Sequence, residues 1–261
     1  PYATKESEYI QFLLDISLKH DIEYLFPLTD LEIDVLDQNR TIFKQNGIVL
    51  CMPSSQTLAI ARNKYVLYKT FKNDDLVPSI STYLSGEVPM TLLPTIAKPY
   101  NGRSSEGLSR ISTIKELEEI SKKSGYIFQE MIEGPVFTVD YIRNSYTNKD
   151  FSIAREELLR TKNGAGTTVR MSNDILLKQL VSHIGNTIHV NGCINMEFIQ
   201  SKGKYYLIDI NPRFSAGVAF SRMAGYNMVL NHLNCFIAQD IQDSILYQEQ
   251  IITKRYREEI L

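Results

Sequence analysis

The stretch INMEFIQSKGKYYLIDINPRFSAG, residues 194–217, decides how the rest of the chain is read. Two largely apolar runs, CINMEFIQ and KYYLIDINP, flank the polar turn SKGK, which is the pattern of a β-hairpin. Side chains alternate along a strand, so Asp209 and Asn211 share one face and Arg213 follows just beyond. Pairing in the simplest register about SKGK brings Glu197 close to Asp209. The hairpin then offers two carboxylates and one amide oxygen, a set that suits the hard-oxygen preference of magnesium. The competing reading is a polar strand face open to solvent. It fits less well, because INMEF and YYLIDINP are otherwise apolar and a carboxylate beside such a surface needs a paired cation or water.

Working upstream, NDILLKQLVSHIGNTIHV sets Ile175, Leu176, Leu180, Ile184 and Ile188 on one helical face. His183 and His189 lack the cysteine or carboxylate spacing of a zinc site and read as surface or packing residues. FTVDYIRN and DFSIAREEL read as strands, and REELLRTKNGAGTTVR, with a mobile loop KNGAGTT, brings Arg155, Arg160 and Arg170 as candidates to hold a carboxylate substrate, with plain surface solvation as the alternative for each. Downstream, Phe214, Ser215, Ala216 and Gly217 make a small-residue turn, for anion binding or tight packing, before the helical AFSRMAGYNMVLNHLNCFIA.

Residues 55–133 mix short elements. QTLAIARNKYVLYKTFKN reads as two helical pieces and TIKELEEISKKS as a third, while SISTYL, PTIAKPY, GLSRIST and YIFQEMI read as strands. Lys98 ends the strand PTIAKPY, and the loop NGRSSEG follows. Gly102 and Gly107 permit tight turns there, so that Ser104, Ser105 and backbone N–H groups can face phosphate oxygens; an ordinary hairpin turn is the alternative. Neither GxxxxGK[ST] nor GxGxxG is present, which disfavours the P-loop and dinucleotide readings. At the start of the chain, SEYIQFLLDISLK is helical, IEYLFP a strand, TDLEIDVLDQNRTIFKQNG a helix capped by Asp30 and stopped at Gly47, and IVLCM a strand. This alternation calls for parallel pairing. No opening strand and glycine turn precede the first helix, so the expectation is a piece of a longer polypeptide.

The 261 residues are 43% hydrophobic, enough for one large domain or two modest ones. Asp and Glu number 30 against 28 Lys and Arg, so no excess of basic charge points to nucleic acid. No apolar run is long enough to span a membrane, and PYATKESEY lacks signal-peptide form. Cys51, Cys193 and Cys235 lie far apart in apolar settings and read as buried thiols, with the cytoplasm as the expected location.

Together, TIAKPYNGRSSEGL, FQEMIEG followed by FTVDYI, and NMEF followed by YYLIDINPRFSAG occur in the order and approximate spacing of ATP-grasp enzymes. Over roughly residues 20 to 235 the chain resembles the carbamoyl-phosphate-synthase large subunit and its smaller single-unit relatives. The resemblance implies an α+β fold whose two lobes grip ATP, behind a partial α/β domain, with units at residues 1–53, 54–133 and 134–261. It implies that Lys64 and Lys98 approach the ATP phosphates, with Arg103, Ser104 and Ser105 closing over them. Gln129, Glu130, Met131 and Ile132 match the adenine-binding hinge, where Glu130 accepts from the adenine amino group, and Glu133 reaches toward ribose. Glu197, Asp209 and Asn211 resemble the magnesium ligands, and Arg213 the arginine that, with Lys98, stabilises the transferred phosphoryl group. Asp30 and Glu32 fall in a loop that borders the cleft in similar proteins. Two departures stand out: Asp209 replaces the family's commoner Glu, and GPVFTVD lacks the glutamate that often follows the hinge glycine.

The implied chemistry is ADP-forming ligation of a small-molecule carboxylate to an amine or ammonia through an acyl phosphate, using ATP and magnesium, or manganese in its place. No nucleic acid or membrane partner is expected; a second copy or second subunit is open. The alternatives are a nucleotide-binding regulatory or partner subunit without turnover, and a kinase that stops at the phosphorylated product.

Overall fold

In the computed structural model, which describes residues 1–102, 106–161 and 164–254, three sheets follow one another along the chain. The first belongs to a small α/β unit: α1 (Glu6–Lys19), β1 (Tyr24–Leu25), α2 (Asp30–Gln38), α3 (Arg40–Gln45) and β2 (Val49–Leu50). β1 and β2 pair in parallel, as the helix–strand alternation predicts. The single helix expected over TDLEIDVLDQNRTIFKQNG is two helices, parted at Asn39, whose side chain donates to the Val35 carbonyl at 2.8 Å and to Glu6 at 3.0 Å. Its cap is Thr29 rather than Asp30. The Thr29 hydroxyl accepts from the Glu32 N–H at 3.3 Å, and the Glu32 carboxylate accepts from the Thr29 N–H at 2.8 Å, forming a capping box. Asp30, thereby relieved of capping, is buried and turned toward the large lobe.

Helices α4 (Ser55–Ala61) and α5 (Lys64–Phe71) are the two expected pieces, and the Asn63 side chain caps the second. The small sheet has the order β3-β6-β4-β5, built from β3 (Thr82–Leu84), β4 (Thr95–Pro99), β5 (Ser109–Ile111) and β6 (Tyr126–Glu130). Helix α6 (Ile114–Ile120) covers it, so that Leu117 meets Ala97, Ile111 and Phe128 in its core.

The large sheet is antiparallel throughout and runs β11-β10-β7-β8-β9-β12. Its strands are β7 (Val136–Arg143), β8 (Asp150–Arg160), β9 (Gly166–Ser172), β10 (Gly192–Ser201), β11 (Lys204–Asn211) and β12 (Ile251–Thr253). Helix α7 (Ile175–Thr187) precedes β10, while α8 (Val218–Met223) and α9 (Met228–Asn234) follow β11 in place of one continuous helix. Two of these strands were not expected. β9 falls where a loop is read, although its Thr- and Val-rich sequence GTTVRMS suits a strand, and β12 pairs with it at the sheet edge.

Alternation gives this sheet two different faces. Val139, Tyr141, Ile194, Met196, Phe198 and Ile210 pack against Leu177, Leu180, Val181 and Ile184 of α7. Each such side chain, fully buried, contributes roughly 1.5–3 kcal/mol. Gly185 is the point of closest approach, since a Cβ there would overlap the Tyr141 ring. The other face changes character along the strands. Ile142, Ile153, Cys193 and Met171 belong to an apolar cluster with Phe220 and Met228, whereas Thr138, Arg155, Asn195 and Glu197 line a polar cavity, with Asp140 buried and bonded to Arg155.

His232 joins the first unit to the large lobe. The Cys193 N–H donates to its Nδ1 at 2.7 Å, and its Nε2 donates to the Cys51 carbonyl at 2.9 Å, an arrangement that fixes the neutral ring. Phe26, Phe214 and Phe236 surround it. Burial holds its pKa down to about 4 from 6.5, with the Cys51 hydrogen bond opposing. The unfolded chain therefore takes up the extra proton first, so this contribution is intact above about pH 6.5 and is lost as the pH falls toward 4, by about 3 kcal/mol at the limit. The expected outcome is a urea midpoint that drops between pH 7 and pH 4.5, with a His232→Gln variant, less stable at neutral pH, losing that part of the slope.

Candidate active site

The hairpin of β10 and β11 is the frame of the site. Phe198 pairs with Leu207, but Glu197 pairs with Asp209, so a bulge at Ile208 sets the two carboxylates opposite each other. Asn211 pairs with Asn195 one step further on, and its Nδ2 donates to Asn195 Oδ1 at 3.2 Å and to Glu197 Oε1 at 3.4 Å. The expected proximity of Glu197 to Asp209 is therefore found, and the bulge makes it direct.

Cations from other elements meet these carboxylates. Lys64, the first residue of α5, is only 9% exposed and lies 3.0 Å from Asp209 Oδ1, also donating to the Gly102 carbonyl at 3.0 Å. Lys98, near the end of β4, donates to the carbonyl of the bulge residue Ile208 at 3.3 Å. Burial lowers its pKa to about 8; Asp209 opposes the shift and the Lys64 charge adds to it. Arg160 Nη2 lies 3.1 Å from Glu197 Oε2. Burial and then the Asp209 charge push the Glu197 pKa up, against Arg160.

Arg213 is held from the first unit. Its Nη2 donates to Asp30 Oδ2 at 2.7 Å and to Asn211 Oδ1 at 3.3 Å, and its Nη1 donates to the Phe214 carbonyl at 3.1 Å. Arg62 stands 3.5 Å from the other Asp30 oxygen and forms a two-bond pair with Asp34 at 2.8 Å. Asp30 was expected to border the cleft, but its bond to Arg213 was not foreseen. The spacing of Thr29 and Glu32 carried the signal, because a capping box assigns the cap to Thr29 and frees Asp30.

Two adjoining cavities meet at the hairpin. One, about 470 Å³, lies between the small sheet and the large one. Lys64, Lys98, Gln129 and residues 130–134 line it from one side, and Arg160, Glu197, Ile199 and Asp209 from the other. Ile80, Ile96, Leu108, Met131 and Val136 make its apolar end. The Gln129 side chain donates to Thr82 Oγ1 at 2.8 Å and the Met131 N–H donates to the Pro94 carbonyl at 3.2 Å, so both are engaged within the small lobe. The second cavity, about 300 Å³, is polar, lined by Thr138, Arg155, Asn195, Asn211, Arg213 and Ser215 among others. Arg160, Glu197 and Asp209 line both.

The structure thus gathers Lys64, Lys98, Gln129, Glu130, Met131, Ile132, Glu133, Glu197 and Asp209 around one cavity, and Asn211 and Arg213 around its neighbour. Arg103, Ser104 and Ser105 lie outside the described residues. Arg155 is not a surface residue: it is 1% exposed and donates to Asp140 at 2.8 Å and Ser215 at 2.9 Å. A Cβ on Gly217 would run into its guanidinium, which accounts for the small-residue turn as packing. Arg170 pairs with Glu156 and lines neither cavity. His183 pairs with Asp74 at 2.8 Å, and His189 is exposed. All three cysteines are buried and free.

A divalent cation fits the hairpin by its chemistry. Glu197 and Asp209 are hard oxygen donors paired across the hairpin, with Asn211 two residues beyond Asp209 on the same strand; burial first and the Asp209 charge second push the Glu197 pKa up, and a cation there would favour the charged carboxylate. Among the described residues, no group of three or more His, Cys, Asp or Glu is gathered as a metal site; the trio here is two carboxylates and an amide. No helix of the described residues is long and apolar enough to cross a membrane.

A family profile described as the ATP-grasp domain matches residues 61–217. Among solved structures, a biotin carboxylase from Campylobacter jejuni superposes with a TM-score of 0.73 at 16% identity, over 85% of this chain and 56% of that one. The biotin carboxylase domain of Hydrogenobacter thermophilus 2-oxoglutarate carboxylase gives 0.74 at 17%, over 90% and 58%. N5-carboxyaminoimidazole ribonucleotide synthetase from Thermotoga maritima gives 0.68 at 18%, over 92% and 64%. The chain therefore spans less than two thirds of each of these proteins, and at such identities the likeness is one of fold. No curated protein matches the chain.

Proposed function

Because the chain belongs to the ATP-grasp domain family, we propose that it is an ADP-forming ligase that joins a small-molecule carboxylate to an amine or ammonia through an acyl phosphate. The observation that carries the reading is the hairpin, which sets Glu197 opposite Asp209 while Lys64 and Lys98 converge from two other parts of the chain and Arg213 follows the second strand directly. The Campylobacter jejuni structure is a β-γ-ATP complex, and that of the Hydrogenobacter thermophilus domain a complex with MgADP, ADP and bicarbonate, which supports magnesium and an adenine nucleotide as ligands here.

In this reading the 470 Å³ cavity takes ATP. Adenine enters its apolar end beside Glu130, Met131 and Ile132, Glu133 reaches ribose, and Gln129 shapes the wall. Lys64 and Lys98 face the phosphates; Arg103, Ser104 and Ser105, outside the described residues, are assigned to the same ligand by the family resemblance alone. Glu197, Asp209 and Asn211 hold magnesium, which when bound neutralises the phosphate oxygens. The units proposed for this work are residues 1–53, 54–133 and 134–261.

The acceptor carboxylate occupies the polar 300 Å³ cavity, next to Arg213. One of its oxygens attacks the γ-phosphorus and forms a P–O bond, the bond to the bridging oxygen breaks, and ADP leaves. An amine then attacks the acyl carbon, phosphate departs with its electron pair, and the amine proton passes to solvent. Arg213 offers a planar donor fork to the phosphoryl oxygens as charge spreads over them, and the Asp30 bond keeps that fork oriented.

The test is a carboxylate screen with Mg-ATP and hydroxylamine, reading hydroxamate and ADP together. Equal amounts of both, from a carboxylate that also yields an amide with ammonia or an amine, are expected. Nucleotide binding without ADP release for any carboxylate would favour a regulatory or partner subunit instead.

A further inference from the structure

A third cavity, about 760 Å³, lies where the first unit meets the large lobe. Its size is that of a small-molecule site, roughly 300–1,000 Å³. Phe26, Leu28 and Leu31 form one wall, and Phe214, Val218 and Val229 form the other. Leu28 and Val229 at its rim are 59% and 47% exposed, an open carbon-lined recess of a kind that marks a binding surface. Among the described residues, the charged ones lining it are Asp30 and Arg213, which are bonded to each other.

Continuity with the site identifies the occupant. Arg213, Ser215 and Ala216 line both this recess and the polar 300 Å³ cavity. Arg213 therefore stands at the junction, with the paired carboxylates on one side and hydrocarbon on the other. A molecule that presents a carboxylate to Arg213 from the recess has its remaining surface against phenylalanine, leucine and valine. We infer that this recess holds the body of the acceptor: the substrate is a carboxylate with an apolar body, its charged end at Arg213 and its hydrocarbon between residues 26–31 and 214–229. This inference rests on the reading of the site as one that phosphorylates a carboxylate.

Calorimetric titration of acetate, butyrate, hexanoate and octanoate, with 1-octanol beside them, into the intact protein saturated with Mg-ADP tests it. Each added methylene is expected to tighten binding by about two- to fourfold until the recess is filled. Octanol, which lacks the charge that Arg213 meets, is expected to bind at least about tenfold more weakly than octanoate. Val229→Asp and Leu28→Asp, both at exposed positions, are expected to flatten the chain-length series while Mg-ADP binding persists. Equal affinity for acetate and octanoate, or for octanol and octanoate, overturns the inference and leaves the ligase reading standing. A dimer in sedimentation velocity that Val229→Asp dissolves also overturns it, by giving the recess to a second copy. Failure of Mg-ADP itself to bind overturns the functional reading, and this inference with it.

Discussion

Arg213→Ala is expected to slow carboxylate-stimulated ADP release by about 10²- to 10³-fold while leaving Mg-ATP affinity nearly unchanged. Arg213 lines the 300 Å³ cavity proposed for the acceptor and not the 470 Å³ cavity proposed for the nucleotide, so its loss should register in the chemical step. Asp30→Asn is expected to give a smaller loss, about tenfold, because it loosens the fork without removing it. The double variant should be no slower than Arg213→Ala alone, since Asp30 acts through Arg213. Initial rates of ADP release at saturating Mg-ATP, alongside nucleotide affinities, check this. A parallel fall in affinity would instead make the pair a strut between the first unit and the large lobe.

Asp209→Ala carries the second large effect. Asp209 faces Glu197 across the hairpin and is itself met by Lys64 at 3.0 Å. Removing it takes away one of the proposed magnesium ligands, so Mg-ATP affinity is expected to fall by about 10- to 100-fold. Metal-free ATP should respond in the opposite direction. Lys64 and Lys98 then lose a neighbouring negative charge, and the site becomes more positive toward bare phosphate, so binding measured in EDTA should hold or tighten. A variant that weakens both forms of the nucleotide equally would argue that Asp209 serves only to anchor Lys64.

How much of this could be read beforehand follows from the range of the interactions. The hairpin is local: SKGK sets the turn, alternation sets the faces, and both carboxylates lie within a dozen residues of it. The ATP-grasp resemblance then carried the two lobes, the hinge and the lysines, and the family match now supports the fold. The bulge at Ile208 was not legible, because it is imposed by pairing across the sheet, with Lys98 bonded to the bulged carbonyl. β9 was hidden behind the glycine-containing loop that precedes it, and β12 exists only as an edge partner for β9. Arg155 looked like a surface arginine because its partner Asp140 sits in a strand whose other residues read as apolar core. Asp30 meets Arg213 across 183 positions, a contact no local pattern encodes, although the capping box of Thr29 and Glu32 removed the alternative role.

The central claim is that the cleft between the two lobes is a working magnesium–nucleotide site. Isothermal titration of ATP into the folded wild-type protein, once with excess magnesium and once with EDTA, addresses it most directly. The account predicts one nucleotide per chain, bound substantially more tightly with magnesium; no binding in either buffer, by protein whose folding is verified in the same sample, would contradict it.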